Sequence, residues 1–253
     1  MPSPTEAQRL QERVRPERGA VMFQRWAELL FLHWSWDPDV VQRTLPPGLT
    51  VDTYDGRAWI GLVPFFMQAV RPRFCPTVPG LSDFLELNVR TYVHDDAGRP
   101  GVWFYSLDCN QWLAVKVARG LFHLPYEHAG MSARRLPGGG WAYVSQRQGD
   151  GVKGRFEYAS AAQGQVAAPG TREFFLLERY RLYSHDARRN RLLSGRVAHR
   201  PYRFQLTETT VYDDRVLTLA GFDPAGRPPE HACVAEAVDV EVFPLERVQR
   251  ASG

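Results

Sequence analysis

Residues 82–129, SDFLELNVRTYVHDDAGRPGVWFYSLDCNQWLAVKVARGLFHLPYEHA, constrain the fold more than any other part of the chain. They predict a strand, a turn, a second strand and a helix. Over residues 84–93 the side chains alternate between two faces. Phe84, Glu86, Asn88, Arg90 and Tyr92 share one face, and Leu85, Leu87, Val89, Thr91 and Val93 share the other. A strand with one apolar face usually turns its polar face to water. In a closed sheet the same face instead lines a polar interior. An acid, an amide and a base in a row, bracketed by aromatic rings, suit a small polar ligand.

A turn built from DDAG and RPG supplies the Asp, Gly and Pro that tight reversals need. The following residues 102–108 carry apolar bulk on both faces, which predicts a central strand. Asp108 is placed as the N-cap of a helix over 109–123. On it Trp112, Lys116, Arg119 and His123 form a polar-aromatic stripe. Pro125 ends the helix by forcing its predecessor out of the helical region.

The chain opens with MPSPTEAQRLQERVRPERGA, charged and poor in large apolar residues, and is expected to be a disordered or loosely helical tail over 1–21. A single domain is expected over 22–247, with a short tail at 248–253. Residues 22–36 read as an amphipathic segment or an opening strand. Residues 38–45 suit a short helix, and 50–54 with 57–67 suit a hairpin around Asp55-Gly56. Prolines at 72, 76 and 79 make 71–80 a loop. Further strands are predicted at 141–147, 155–159, 173–184, 191–199, 204–212, 216–222 and 237–243. In the run EFFLLERYRLYS, Glu178 and Tyr180 share one face, and Arg179 and Arg181 the other. An inward Glu178 would want an arginine such as Arg90, because buried charge has to be paired. The sum is a β-rich α+β chain.

A net charge of +3 with its basic residues spread in short pieces gives no nucleic-acid patch. No signal-peptide h-region and no apolar run of membrane-spanning length is present, so a cytoplasmic protein without a membrane partner is expected. Cys75, Cys109 and Cys233 are odd in number and far apart, which fits reduced thiols. His123 and His128 lie five apart across Pro125, the wrong spacing for two metal ligands on one helix face, and no metal or other cofactor is expected. The pattern leaves a homo-oligomer open.

The runs WAELLFLHW, LPPGLTVDTYDGRAWIGLVPFFM, SDFLELNVRTYV, GVWFYSLD, ARGLFHLPY and FLLERYRLY together resemble the YqjF-like family of uncharacterised bacterial proteins, within the acetoacetate decarboxylase-like superfamily. The resemblance implies a curved, partly closed antiparallel barrel with a few helices and an internal cavity. It also implies a glutamate in an aromatic-x-glutamate strand motif, matched by Glu86, and a helix arginine, matched by Arg119. The superfamily's decarboxylases then carry a proline followed by two lysines, the first of which forms an imine with the substrate ketone. Here Pro125 is followed by Tyr126 and Glu127. Lys116 and Lys153 are the only lysines in the chain, and arginine cannot form the imine.

The expectation is therefore a cavity for a small organic acid, with lyase-type acid–base chemistry that needs no Schiff-base lysine. Glu86, Arg119 and Tyr126 are the candidate catalytic residues. Asn88, Arg90, Glu178 and Tyr180 are the candidate ligand-binding residues. The competing expectations are a non-catalytic binding or sensor protein and a structural barrel whose buried ion pairs hold no ligand.

Overall fold

The computed structural model describes residues 3–149, 151, 153–208 and 211–249. Its first strands are β1 (Met22–Ala27), β2 (Leu29–Trp36), β3 (Leu49–Val51), β4 (Ala58–Pro72), β5 (Phe84–Asp95) and β6 (Pro100–Cys109). Next come β7 (Tyr126–Arg135), β8 (Trp141–Arg147), β9 (Lys153–Tyr158), β10 (Gln165–Val166) and β11 (Arg181–Asp186). The last are β12 (Arg191–Ala198), β13 (Arg203–Leu206), β14 (His231–Ala235), β15 (Val238–Val242) and β16 (Glu246–Arg247). Short helices interrupt them: α1 (Glu6–Gln11), α2 (Pro38–Gln42), α3 (Trp112–Val117), α4 (Arg172–Leu177) and α5 (Arg215–Thr218). A π-helical turn, Ala118–Phe122, prolongs α3.

Seven strands close into a barrel in the order β4, β1, β15, β12, β11, β6, β5 and back to β4. The β11–β6 junction is parallel and makes the barrel mixed; the other junctions are antiparallel. The fold class expected from the sequence is present, with the barrel fully closed. β4 is long enough to serve two layers. Its first half pairs with β2, from Trp36↔Ala58 to Leu32↔Leu62, and its second half pairs with β1 as far as Met22↔Pro72. The aromatic run at 22–36 is thus two strands, divided where Glu28 takes a positive φ of 51°.

β5 is buried on both faces, which is why its alternation does not mark a water-facing side. Leu85, Leu87 and Val89 pack outward into a second core with Tyr143 and Phe156 from the outer strands β8 and β9. Glu86, Asn88 and Arg90 point into the barrel. The Asp55-Gly56 turn forms with both residues at positive φ, as a two-residue reversal requires, and Tyr54 bridges Arg57. β3, however, pairs with β5 instead of returning along β4.

Several expectations are corrected. Residues 172–177 form helix α4, capped by the Thr171 side chain, which accepts from the Phe174 amide at 3.2 Å. Its Phe174, Phe175, Leu176 and Leu177 are all buried, so the run carries no period of two to separate strand from helix. Residues 215–218, overlapping the strand predicted at 216–222, are helix α5. Asp108 lies in β6 and pairs with Arg147 at 2.7 Å; the N-cap of α3 is Gln111.

The opening segment is no loose tail. A capping box between Thr5 and Gln8 starts α1. Arg9 then pairs with Asp52 at 2.5 Å, and Glu12 is buried between Arg181 at 2.9 Å and Arg196 at 3.0 Å. At the other end Val248 is buried and its amide donates to the Leu192 carbonyl at 3.0 Å; residues 250–253 lie outside the described residues.

Candidate functional site

The barrel encloses a cavity of about 450 Å³. Its mouth lies between the 73–82 segment and α3 with its π-helical turn, where Gln111 Nε2 donates to the Gly80 carbonyl at 2.8 Å. Its base is closed by α4, whose Leu176 carbonyl accepts from Arg90 Nη2 at 3.1 Å and from the Tyr92 hydroxyl at 2.9 Å. Most of the wall is apolar; Glu86, Asn88 and Arg90 stand in a row along β5, and further polar side chains reach the cavity from other elements.

Nearer the mouth, the Tyr126 hydroxyl donates to Glu86 Oε2 at 2.7 Å. Tyr126 opens β7, which runs parallel to β6 with Leu107 opposite Tyr126, so Pro125 leads the chain from α3 straight into the barrel wall. Burial pushes the Glu86 carboxyl up from its ordinary 4.5 to about 7, against the opposing hydrogen bonds from Tyr126 and Asn88. The Tyr126 phenol is also driven well above its ordinary range, by burial first and by the neighbouring Glu86 second. The cavity wall thus holds a carboxyl whose protonated form persists toward neutral pH, in contact with a phenol that keeps its own proton.

Arg119 does not reach this pair. Its Nε donates to the Tyr126 backbone carbonyl, and its Nη2 pairs with Glu127 at 2.6 Å on the exposed side of the strand. It braces the start of β7 from outside. Glu178 and Tyr180 also lie away from the cavity lining. Glu178 pairs with Arg13 at 3.2 Å, accepts from the Tyr202 amide at 3.0 Å and receives the Tyr180 hydroxyl. No hydrogen bond or ion pair joins it to Arg90 among the described residues. The predicted grouping of Glu86, Asn88, Arg90, Arg119 and Glu178 therefore separates: the first three share the cavity wall, and the other two do not.

What lines the base is the opposite face of the same stretch, Arg179 and Arg181. Arg179 is 7% exposed. Its Nη1 pairs with Asp52 at 3.0 Å, its Nε donates to the Phe175 carbonyl at 2.8 Å, and its Nη2 is buried without a hydrogen-bond partner. Desolvation lowers its pKa to about 10, Asp52 opposing and Arg9 adding to the drop. Arg90 Nε is likewise buried without a partner. Both guanidiniums stand over the Tyr92 ring, Arg90 at 5.6 Å and Arg179 at 5.1 Å from its centroid. The alternation in ERYRLYS separated these two faces, and reading α4 as strand concealed which one turns inward.

Neither lysine lines the cavity. Lys116 is exposed with Nζ 4.7 Å from the Trp112 ring centroid, and Lys153 is exposed on β9. Among the described residues no group of three or more His, Cys, Asp or Glu is placed to hold a metal ion.

The closed mixed barrel is the acetoacetate decarboxylase-like fold, and solved structures of that class superpose on it. They include the enduracididine biosynthesis enzyme MppR complexed with the condensation product of pyruvate and imidazole 4-carboxaldehyde, at 16% identity and a TM-score of 0.62 over 93% of this chain and 92% of that one. An acetoacetate decarboxylase-like enzyme from Sphingomonas wittichii RW1 matches at 14% identity and 0.61, over 92% and 95%. Acetoacetate decarboxylase from Legionella pneumophila matches at 10% and 0.60, over 99% and 93%. Likeness at these identities speaks for the fold alone. The chain itself belongs to the DUF2071 family of uncharacterized conserved proteins, whose model matches residues 23–239. It is 40% identical over 219 residues to the uncharacterized protein YqjF of Bacillus subtilis (strain 168), covering 83% of this chain and 87% of that protein.

Proposed function

We propose that the barrel binds a small organic acid and acts on it by acid–base chemistry, in a lyase-type reaction that forms no imine. The observation that carries this is the contact between Tyr126 and Glu86 inside the cavity, at the position where the resemblance implies a nucleophilic lysine. Glu86 takes a proton from the carbon beside a carbonyl, or returns one to it; the Tyr126 hydroxyl hydrogen-bonds the carbonyl oxygen; Arg90 holds the carboxylate. Two of the structural neighbours are described with a pyruvate product bound or as acting on acetoacetate, which supports a carbonyl acid as the class to test first. No lysine lining the cavity favours the second reading, a binding protein without turnover.

The test is carbon-bound hydrogen exchange in D₂O, followed by NMR for a panel of keto acids, beside ligand-induced thermal shifts. Exchange above the buffer rate, abolished in both Glu86→Gln and Tyr126→Phe, is the expected result. Thermal shifts without exchange for any acid leave the binding protein and remove the catalyst. Neither shift nor exchange removes both.

A further inference from the structure

The polar groups of the cavity are too far apart for a short acid to use them together. Glu86 and Arg90 stand four residues apart on β5, roughly 13 Å at about 3.3 Å per residue. The Arg90 side chain also extends away from Glu86, since its Nη2 reaches the Leu176 carbonyl of α4. A four-carbon keto acid held at one end leaves the other end untouched.

The base is built for an anion. Arg9 and Arg179 share the one carboxylate of Asp52, at 2.5 and 3.0 Å, and Arg90 has no ion-pair partner among the described residues. Cations therefore outnumber anions around the closed end. Arg90 Nε and Arg179 Nη2 are buried N–H donors without acceptors, both on cavity-lining residues and both over the Tyr92 ring. Unmet donors on buried guanidiniums are costly, and a carboxylate, which accepts two hydrogen bonds side by side, meets that need.

The remainder of the cavity calls for hydrocarbon. From Glu86 toward the mouth the wall is Phe65, Met67, Phe84 and Val70. At the rim Val78, Leu81, Leu113 and Val117 line the cavity while being 45%, 42%, 39% and 37% exposed. Apolar side chains thus line the cavity from beside Glu86 to a partly exposed rim.

Resting on the reading that this cavity takes an organic acid, we propose that its ligand is an amphiphilic carboxylic acid. The carboxylate sits at Arg90 and Arg179, and an alkyl or aryl-alkyl chain passes Glu86 and Tyr126 to the mouth. A carbonyl or hydroxyl on that chain, several carbons from the carboxylate, is what the Glu86–Tyr126 pair meets.

Isothermal titration of the purified protein with straight-chain acids from butanoate to decanoate, with the matching primary alcohols and with pyruvate and acetoacetate, tests the proposal. Affinity should rise about fourfold per methylene until the cavity fills. Octanol should bind at least about tenfold more weakly than octanoate, as the charge-assisted hydrogen bonds are lost. Arg90→Met, which keeps the apolar stem, should remove the preference for the acid. Leu113→Asp at the rim should weaken decanoate and leave butanoate unchanged. Equal affinity for octanoate and octanol overturns the carboxylate site, and this comparison is made on the unaltered protein. Pyruvate or butanoate binding as tightly as octanoate overturns the amphiphile while leaving the organic-acid reading in place. No binding across the series overturns both.

Discussion

Glu86→Gln isolates what burial does to the one carboxyl in the cavity wall. Folded Glu86 keeps its proton to about pH 7, while the unfolded chain releases it near the ordinary 4.5. Between those values the native state carries more protons than the unfolded state, so stability is highest at the acid end and falls as pH rises. At about 1.4 kcal/mol per pH unit the gap between 4.5 and 7 amounts to about 3 kcal/mol. Glutamine keeps the shape, accepts the Tyr126 hydrogen bond and cannot ionise. No arginine pairs with Glu86 among the described residues, so the substitution strands no cation in the wall. Urea unfolding of wild type and variant at pH 5 and pH 8 should show a wild-type loss that the variant lacks, so the variant gains about 2.5 kcal/mol on wild type across that range, pH 5 already lying above the unfolded value. Parallel pH dependences in the two proteins would refute a proton shared between burial and folding at this position.

Asp52→Asn leaves Arg9 and the nearly inaccessible Arg179 without a carboxylate and should cost about 3 to 5 kcal/mol in urea unfolding; a loss below about 1 kcal/mol would mean the pair is solvent-screened. Removing residues 1–18 takes away Arg9, Glu12 and Arg13 together, leaving Arg181 and Glu178 buried without their partners. It should destabilise the barrel at least as much as Asp52→Asn, and an unchanged melting temperature would show that α1 is a passenger.

The barrel strands were legible where alternation or a turn signature marked them. β5, β6, β8, β12 and β15 fall within a residue or two of the predicted spans, and the Asp55-Gly56 reversal is in place. Alternation divides a strand into two faces but cannot tell which is concave, because curvature depends on partners distant in sequence. For β5 the inward face happens to be the polar one. For residues 178–181 the choice came out inverted, because FFLL buries four consecutive side chains in a helix and resets the phase of everything after it. The N-terminal segment was misjudged for a related reason. Its charges look solvated in a local window, but Arg9 finds Asp52 across 43 residues and Arg15 finds Glu241 across 226. Composition describes what a segment can bury by itself, not what it can neutralise elsewhere.

The phenol at position 126 changes more than the nucleophile, and putting the amine back shows why. An imine-forming lysine needs its amine largely unprotonated. With Tyr126→Lys alone, the new amine lies against Glu86, whose carboxyl already accepts from this position at 2.7 Å. Burial by itself disfavours the ammonium, but a carboxylate in contact favours it, and proton transfer between the two gives a buried ion pair in place of a neutral amine. The single variant should therefore trap little adduct when a keto acid and borohydride are added together. Tyr126→Lys combined with Glu86→Gln removes the proton's other home, and burial then lowers the amine pKa unopposed. Mass spectrometry of the double variant should show a reduced adduct at residue 126 severalfold above the single variant. Equal trapping in both would mean that Glu86 does not control the charge at this position, and the acid–base pairing of residues 86 and 126 would have to be abandoned.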